Sequence, residues 1–257
     1  MQEALVDGDV LVYICGFAAE DTVYSTPDGL IFSTMGQAVK HCNSNEIERL
    51  VEAEPLSHVL YLVKNALKRI KDRTGARVIK VYLSGKGNFR NDIATIKPYK
   101  GNRSSVKPFH YNNIRDYLVN RWNAEVVDGI EADDALGINQ SKDSCICTID
   151  KDLDMVPGYH YNFQKDRLYD VPATKAVYNF YKQLLTGDPT DNIPGVPKVG
   201  AKTAQKILSS CKDEEDMYWA CLETYATKYP RPFHALLENG QLLWIQRQED
   251  EIWQPMW

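Results

Sequence analysis

Short apolar runs that stop at an acidic or glycine-containing turn alternate with segments of helical period, and this alternation constrains the fold more than any other feature of the chain. Ala4–Val6 stops at Asp7-Gly8, after which Val10, Tyr13, Ile14 and Phe17 fall at helical spacing. Ser57 reads as the N-cap of a helix that reaches Arg73, with Val59, Leu60, Val63, Leu67 and Ile70 on its apolar face and Gly75 ending it. Arg77–Leu83 alternates as a strand, and a helix is expected over Tyr111–Trp122. Strand Glu125–Val127, helix Glu131–Asn139, strand Ser144–Ile149 and a further extended run, Gly158–Phe163, follow. Such alternation predicts an α/β fold, a mainly parallel sheet flanked by helices. Helix Ala173–Leu185 stops at Gly187, and the remaining periods, Ala201–Ser209, Glu214–Tyr225 and Phe233–Gln246, are all helical. A core over 1–172 and a C-terminal helical layer over 173–257 are therefore expected. Thr26-Pro27-Asp28-Gly29 between β-prone runs reads as a hairpin turn. No element is assigned to the polar residues 36–55.

At 257 residues the chain fits one large α/β domain or a core with a smaller appendage. No uncharged apolar run approaches the roughly 18–20 residues of a membrane helix, and the N-terminal apolar stretch has no basic leader. The expectation is a cytoplasmic protein without membrane contact. The six cysteines and five histidines form no zinc spacing, so the thiols read as reduced and mostly buried. The formal net charge of −5 argues against a generic nucleic-acid binder. Its distribution does not: the stretch from Lys64 to Arg121 is rich in Lys and Arg, whereas acids gather at particular turns.

Those turns carry the chemistry. Asp7 ends the first strand, where open α/β sheets place their ligands. Glu131-Ala-Asp133-Asp134 opens a helix whose dipole helps hold several negative charges together. Asp150-Lys-Asp152-Leu-Asp154 follows an apolar strand, and Asp188-Pro-Thr-Asp191 follows a helix. Singly, each is more often a cap or a solvated turn residue. Parallel strands, however, bring their C-terminal ends to one edge, and carboxylates gathered there stay ionised only with cations. Hard oxygen ligands select Mg²⁺ or Mn²⁺, and such a site suits two-metal phosphodiester hydrolysis. The stretch Asp191-Asn-Ile-Pro-Gly195-Val-Pro-Lys198-Val-Gly200-Ala-Lys202-Thr203-Ala leads into a helix whose first amides, with Lys198, Lys202 and Lys206, suit a phosphate. A plain helix–turn–helix corner with solvent-facing lysines fits the same residues equally well.

The order Val-Asp7-Gly-Asp, Arg90…Tyr99-Lys100-Gly-Asn-Arg103, Glu131-Ala-Asp-Asp134, Thr148-Ile-Asp150-Lys-Asp152 and Gly187-Asp-Pro-Thr-Asp191-Asn-Ile-Pro-Gly…Val199-Gly-Ala-Lys-Thr resembles the 5′-nuclease (flap endonuclease-like) superfamily. That superfamily includes the 5′-nuclease domain of bacterial DNA polymerase I and the 5′–3′ exonucleases of tailed phages, and compact length makes the chain most similar to the latter. The resemblance runs from about residue 4 to 210. It implies a PIN-like core, an arch or clamp near 86–121, and a helix-three-turn-helix near 188–208 that grips duplex DNA. By position, Asp7, Glu131, Asp133, Asp150 and Asp152 correspond to metal ligands, with Asp134, Asp188 and Asp191 as a second set around another ion. Lys100 and Arg103 correspond to basic residues at the scissile phosphate, Arg90 to a phosphate contact and Tyr99 to a stacking residue. Gly195, Lys198, Gly200, Lys202 and Thr203 correspond to DNA contacts, and main-chain oxygens of Val196 and Val199 to a K⁺ site. One departure stands out. The family's acid after the strand Arg77–Leu83 is here Ser84-Gly85; either Ser84 coordinates through water, Asp92 substitutes, or the shell is one ligand short. Gly101–His110 is also short for an arch.

The activity these readings imply is a 5′–3′ exonuclease and structure-specific flap endonuclease. It would need two Mg²⁺ or Mn²⁺ and cut DNA, or RNA in hybrids, in phage replication or recombination. Its expected setting is a monomer in the host cytoplasm, with a replication polymerase or single-strand-binding protein as candidate partners. The competing readings are a PIN-type ribonuclease and a catalytically weak structure-specific DNA-binding protein.

Overall fold

The computed structural model describes residues 1–103 and 106–256; Ser104 and Ser105, within the expected arch, and Trp257 lie outside the described residues. The chain begins with β1 (Glu3–Asp7), whose last four residues are buried. Helix α1 (Gly8–Phe17) starts at once because the Asp7 carboxylate accepts the Val10 N–H at 3.0 Å and caps it. Gly8 is required at this junction, since a β-carbon there would lie 2.5 Å from the Tyr82 carbonyl oxygen.

Next come β2 (Glu20–Ser25), β3 (Ile31–Phe32), the one-turn helix α2 (Met35–Ala38) and β4 (Glu48–Ala53). The expected hairpin is present, but β4 also pairs antiparallel with β2, from Glu20 opposite Ala53 to Ser25 opposite Glu48. This second, three-stranded sheet was not legible at 36–55. No residue of β4 is fully buried, its positions alternating between exposed and half-buried, so it carries little of the apolar alternation that marks a strand.

Helix α3 (Leu56–Thr74) is capped by Pro55, two residues before the expected Ser57, and ends at Gly75 in the left-handed region, φ 64°. Strand β5 (Val78–Ser84), the single turn α4 (Arg90–Ile93) and helix α5 (Tyr111–Trp122) follow. Beyond them lie β6 (Glu125–Val127), α6 (Ala132–Asn139) and β7 (Ser144–Cys147). Strand β8 (Gly158–Asn162) is paired with β9 (Arg167–Val171), a strand the apolar pattern did not reveal because only Val171 of it is buried. The chain ends in helices α7 (Ala173–Thr186), α8 (Ala201–Leu208), α9 (Glu214–Ala226) and α10 (Pro232–Leu243).

The main sheet has the order β6-β5-β1-β7-β8-β9, parallel except for the β8–β9 pair. Ala4 and Val6 face a core shared with Val12, Val63 and Leu118 of α1, α3 and α5, while Leu5 faces Leu136 of α6. Helices on both faces explain why these strands read as continuous apolar runs. Cys145 and Cys147 are likewise both buried, and all six cysteines are free thiols. A separate core, built around Phe180, Tyr181, Leu184, Tyr218 and Leu236, joins α7, α9 and α10. Among the described residues no helix is long and apolar enough to cross a membrane.

Candidate active site

Register explains why distant acids meet. Asp7 pairs with Tyr82, Ser84 with Val127, and Val6 with Cys147, so four parallel strands end at one level. The residues just past those ends, Asp7, Asp9, Glu131, Asp133, Asp150 and Asp152, line one cleft of about 670 Å³. Asp188 and Asp191 reach its rim from the turn after α7.

Each acid is held differently. Asp7 is 2 % exposed; its second oxygen accepts from the Thr148 hydroxyl at 2.8 Å. Burial pushes its carboxyl up to about 7, the neighbouring charges of Asp9 and Asp150 adding to the rise. Asp133 is pushed well above the usual range by burial and then by Asp7, Asp150 and Glu131. Asp150 is raised by burial and by Asp191 and Asp188, although its oxygen accepts the Asp152 N–H at 2.8 Å. Asp152 rises to about 7 through burial and the charge of Asp150, with Gln183 and Asp188 as hydrogen-bond neighbours. Glu131 caps α6 and accepts from Asn88 at 2.8 Å, from Tyr99 at 3.1 Å and from the Lys100 ammonium.

Opposite the acids, the segment around Lys100 is fastened to the 188–192 turn. The Lys100 N–H donates to the Asp191 carbonyl at 2.9 Å, Asn102 donates to the Pro189 carbonyl at 2.7 Å, and Asn192 donates back to the Pro98 carbonyl at 2.9 Å. Lys100 thereby stands between Glu131 and Asp191, the latter 3.7 Å away, and Arg103 pairs with Asp191.

Several expectations require correction. Asp134 is fully buried and does not line the cleft: the Arg90 guanidinium grips both its oxygens at 2.6 and 2.8 Å, and the Gln246 and Glu131 N–H groups donate to it at 3.0 and 3.1 Å. Arg90, 2 % exposed, also donates to the Leu242 and Trp244 carbonyls at 2.9 and 2.6 Å, so four of its five N–H donors are spent within the protein and its role is to hold the fold. The Tyr99 ring is buried against the helical core, so it presents no face for stacking a base; only its hydroxyl reaches the site, on Glu131 and Asp191. Gly195 is buried with φ 56°, its missing β-carbon leaving room for the Gly187 backbone, so it shapes the turn. Lys198, Gly200, Lys202 and Thr203 are exposed around the start of α8. The Val196 carbonyl accepts the Val199 N–H at 3.0 Å, and Val199 itself is half-buried. At the Ser84 position, the hydroxyl accepts the Ala132 N–H at 2.9 Å and so caps α6, while Asp92 is exposed on α4, outside the cleft.

Asp9 is a further acid of the site that local pattern does not single out. Its carboxylate accepts the Ser84 N–H at 2.9 Å and pairs with Arg115 at 2.7 Å, and Arg115 also donates to the Ser84 carbonyl at 2.7 Å. A signal existed, two acids flanking Gly8 at a strand-to-helix junction, but the pairing with Arg115 spans 106 positions.

The donor set fits hard divalent cations. It is all oxygen, and Asp7, Asp133, Asp150 and Asp152 face one another across the cleft with too little positive charge to balance them. Among the described residues no three acids are drawn close enough to close around an ion.

No protein-family model matches the chain. The 5′-3′ exonuclease of Buchnera aphidicola subsp. Schizaphis graminum is 29% identical over 197 residues, 68% of this chain and 66% of that protein. DNA polymerase I of Bacillus subtilis is 29% identical over 177 residues, 59% of this chain and 20% of that one. The chain thus spans just under two thirds of the first relative's length and a fifth of the second's. Among solved structures, a bacteriophage T5 flap endonuclease in complex with DNA and metal ions aligns with TM-score 0.53 and 16% identity over 95% of this chain and 99% of that one. The chain is thus similar in sequence to 5′-3′ exonucleases and to DNA polymerase I, and it shares the fold of the T5 flap endonuclease. Within this fold, the acids lie at the C-terminal sheet edge, and the fastening of Lys100 to the 188–192 turn brings the C-terminal helices to the same cleft.

Proposed function

We propose that the chain is a divalent-metal-dependent 5′–3′ exonuclease and flap endonuclease that hydrolyses DNA phosphodiesters. The observation that carries this reading is the convergence of Asp7, Glu131, Asp133, Asp150 and Asp152 with Asp188 and Asp191 on one cleft, with Lys100 and Arg103 at its mouth. The names of the sequence relatives and the DNA and metal ions bound by the T5 neighbour support it. Asp7, Glu131, Asp133, Asp150 and Asp152, joined by Asp188 and Asp191, hold the ions, for which Mg²⁺ or Mn²⁺ is suited. Bound there, such ions lower the pKa of an attacking water and neutralise charge on the leaving oxygen.

The protein's own residues do the rest. Thr148 and the first turn of α1 fix the Asp7 carboxylate. Lys100 and Arg103, held by carboxylates that bound cations would satisfy instead, then have their charge for the phosphate, where it opposes the negative charge of the transition state. Lys198, Lys202 and Thr203 at the start of α8 suit the phosphates of duplex DNA, in a turn that reads as a helix-three-turn-helix with a K⁺ near Val196 and Val199.

The reading is tested with 5′-labelled DNA flaps, blunt duplex and single-stranded RNA, each with Mg²⁺, with Mn²⁺ or with EDTA. Metal-dependent release of 5′-phosphate DNA products is expected. Absence of any DNA cleavage would sink the reading, and cutting of RNA alone would favour a PIN-type ribonuclease. Lys100→Ala is expected to lower kcat by about 10²- to 10³-fold while changing KM only a few-fold. Equal losses in turnover and in DNA affinity would assign Lys100 to positioning instead.

The acids also predict a pH signature. Asp7 and Asp152 titrate near 7 in the folded protein against an ordinary value of 3.8. Between those values the folded state holds protons that the unfolded chain has released, so metal-free stability falls as pH rises from about 4 to about 7. Mg²⁺, which replaces those protons, should raise Tm more at pH 8 than at pH 6. A metal-independent Tm at pH 8, read by scanning calorimetry, would contradict the assigned cluster.

A further inference from the structure

Beyond the catalytic cleft lies a second groove, of about 290 Å³, which shares Ile149, Asp150 and Lys151 with it. The two are therefore separated only by the loop that follows β7. Lys151, Lys165, Arg167 and Lys175 line this groove. They come from that loop, from the β8–β9 hairpin and from the first turn of α7. All four are exposed, and none forms an ion pair among the described residues. Lys100, Arg103 and Arg90 are, by contrast, each held by a carboxylate.

Three acids also line the groove, Asp150, Asp154 and the exposed Asp170, so its four cations leave an excess of one positive charge, and two once Asp150 is counted with the catalytic cluster. Asp154 accepts the Tyr169 hydroxyl at 2.7 Å, and the Asn179 amide donates to the Asp154 carbonyl at 3.0 Å, which ties α7 to the floor. Asp150 belongs to the catalytic cluster. Asp166, at the hairpin turn, is occupied by Arg73 at 2.8 Å and Arg69 at 3.6 Å. Arg167 lies 5.1 Å over the Tyr169 ring and Lys175 lies 4.6 Å over Tyr178, so aromatic faces hold both cations without neutralising them.

We propose that this groove is a binding track for the sugar-phosphate backbone of DNA leading away from the cleft, with Lys165, Arg167 and Lys175 as its phosphate contacts. The inference rests on the nuclease reading and names where its substrate runs beyond the scissile bond. The ligand class follows from the layout. The cations are spread along three elements instead of converging on one point, as a single bound phosphate would require, and the row opens into the cleft that takes the scissile phosphate. A continuous polyanion matches that arrangement.

The test uses the full chain carrying Lys165→Ala and Arg167→Ala together, with Lys175→Ala as a separate variant. Both sets of changes are on the surface, and circular dichroism with a Tm measurement checks the fold. Fluorescence anisotropy in EDTA reads the affinity for a 5′-flap duplex between about 50 and 200 mM salt. The double variant is expected to bind on the order of tenfold more weakly near 0.1 M salt, with the log–log salt slope reduced by about 1.5. Its Mn²⁺-dependent hydrolysis of bis(p-nitrophenyl) phosphate, too small to reach the groove, should match wild type. Unchanged affinity and slope in the variants, beside a wild type that binds and cleaves the flap, would overturn the groove alone. A wild type that neither binds nor cleaves any DNA would overturn the nuclease reading, and the groove with it.

Discussion

Asp150→Asn is expected to lower DNA cleavage by at least about a thousandfold, about 4 kcal/mol of transition-state stabilisation, while leaving DNA affinity in EDTA within a few-fold of wild type. Asp150 lies between the two halves of the acid cluster: its charge acts on Asp7 and Asp133 on one side and on Asp152 on the other, while Asp188 and Asp191 act on it. The substitution is conservative for the loop, because an asparagine oxygen can still accept the Asp152 N–H that Asp150 accepts at 2.8 Å. It removes one negative charge from a crowded site, so the metal-free variant should melt no lower than wild type at pH 8. Mg²⁺ should then stabilise it less than it stabilises wild type. Intact cleavage, or a strong loss of metal-free stability, would show that Asp150 serves the fold and not the chemistry.

Arg90→Ala is expected to cost about 3–5 kcal/mol of stability, which for a chain of this size lowers Tm by roughly 10 °C. The guanidinium holds Asp134 and the Leu242 and Trp244 carbonyls together, and its loss strands a fully buried carboxylate, a buried acceptor and a half-buried one. The burden falls on the active site as well, because Asp134 accepts the Glu131 N–H at the start of α6, the turn that presents Glu131 and Asp133. Removing both partners, as Arg90→Ala with Asp134→Ala, should cost less than the sum of the single changes, since no unpaired charge then remains. Should Arg90→Ala leave Tm unmoved and instead weaken DNA binding at every salt concentration, Arg90 would be a phosphate contact after all.

The difference between Arg90 and Lys100 shows how far the chain could be read without its structure. Both are cations within the same basic stretch, and both matched positions of a nucleic-acid-binding family. Which one faces solvent depends on what packs over it. The last turn of α10 and the residues that follow, more than 150 positions away in sequence, close over Arg90. The segment at Lys100 is fastened instead to the rim of the cleft. The same holds for the acids: Asp133 and Asp134 are adjacent in sequence, yet one faces the cleft and the other is sealed in a buried pair. A helix turns its side chains by about 100° per residue, so neighbours at its start cannot share one direction.

Local chemistry decided much by itself. Apolar runs with acids at their ends called for parallel strands with a charged edge, and β1, β5, β6 and β7 lie where those runs predicted. The helix boundaries of α5, α7 and α9 were legible because caps and apolar periods are properties of near neighbours. Strands β4 and β9 were not, because edge strands with little buried surface lack the periodic signal. Position in the chain likewise placed Asp7, Glu131, Asp133, Asp150 and Asp152 as one site, since strand order alone brings parallel ends together. Tertiary structure alone decided that Asp134 and Arg90 satisfy each other, that Tyr99 offers only its hydroxyl, and that Asp9 and Arg115 occupy the space beside Ser84. The physical reason is common to all three. The charge or hydrogen bond that a polar group keeps is set by the partner nearest to it in space, and for these residues that partner lies tens of positions or more away along the chain.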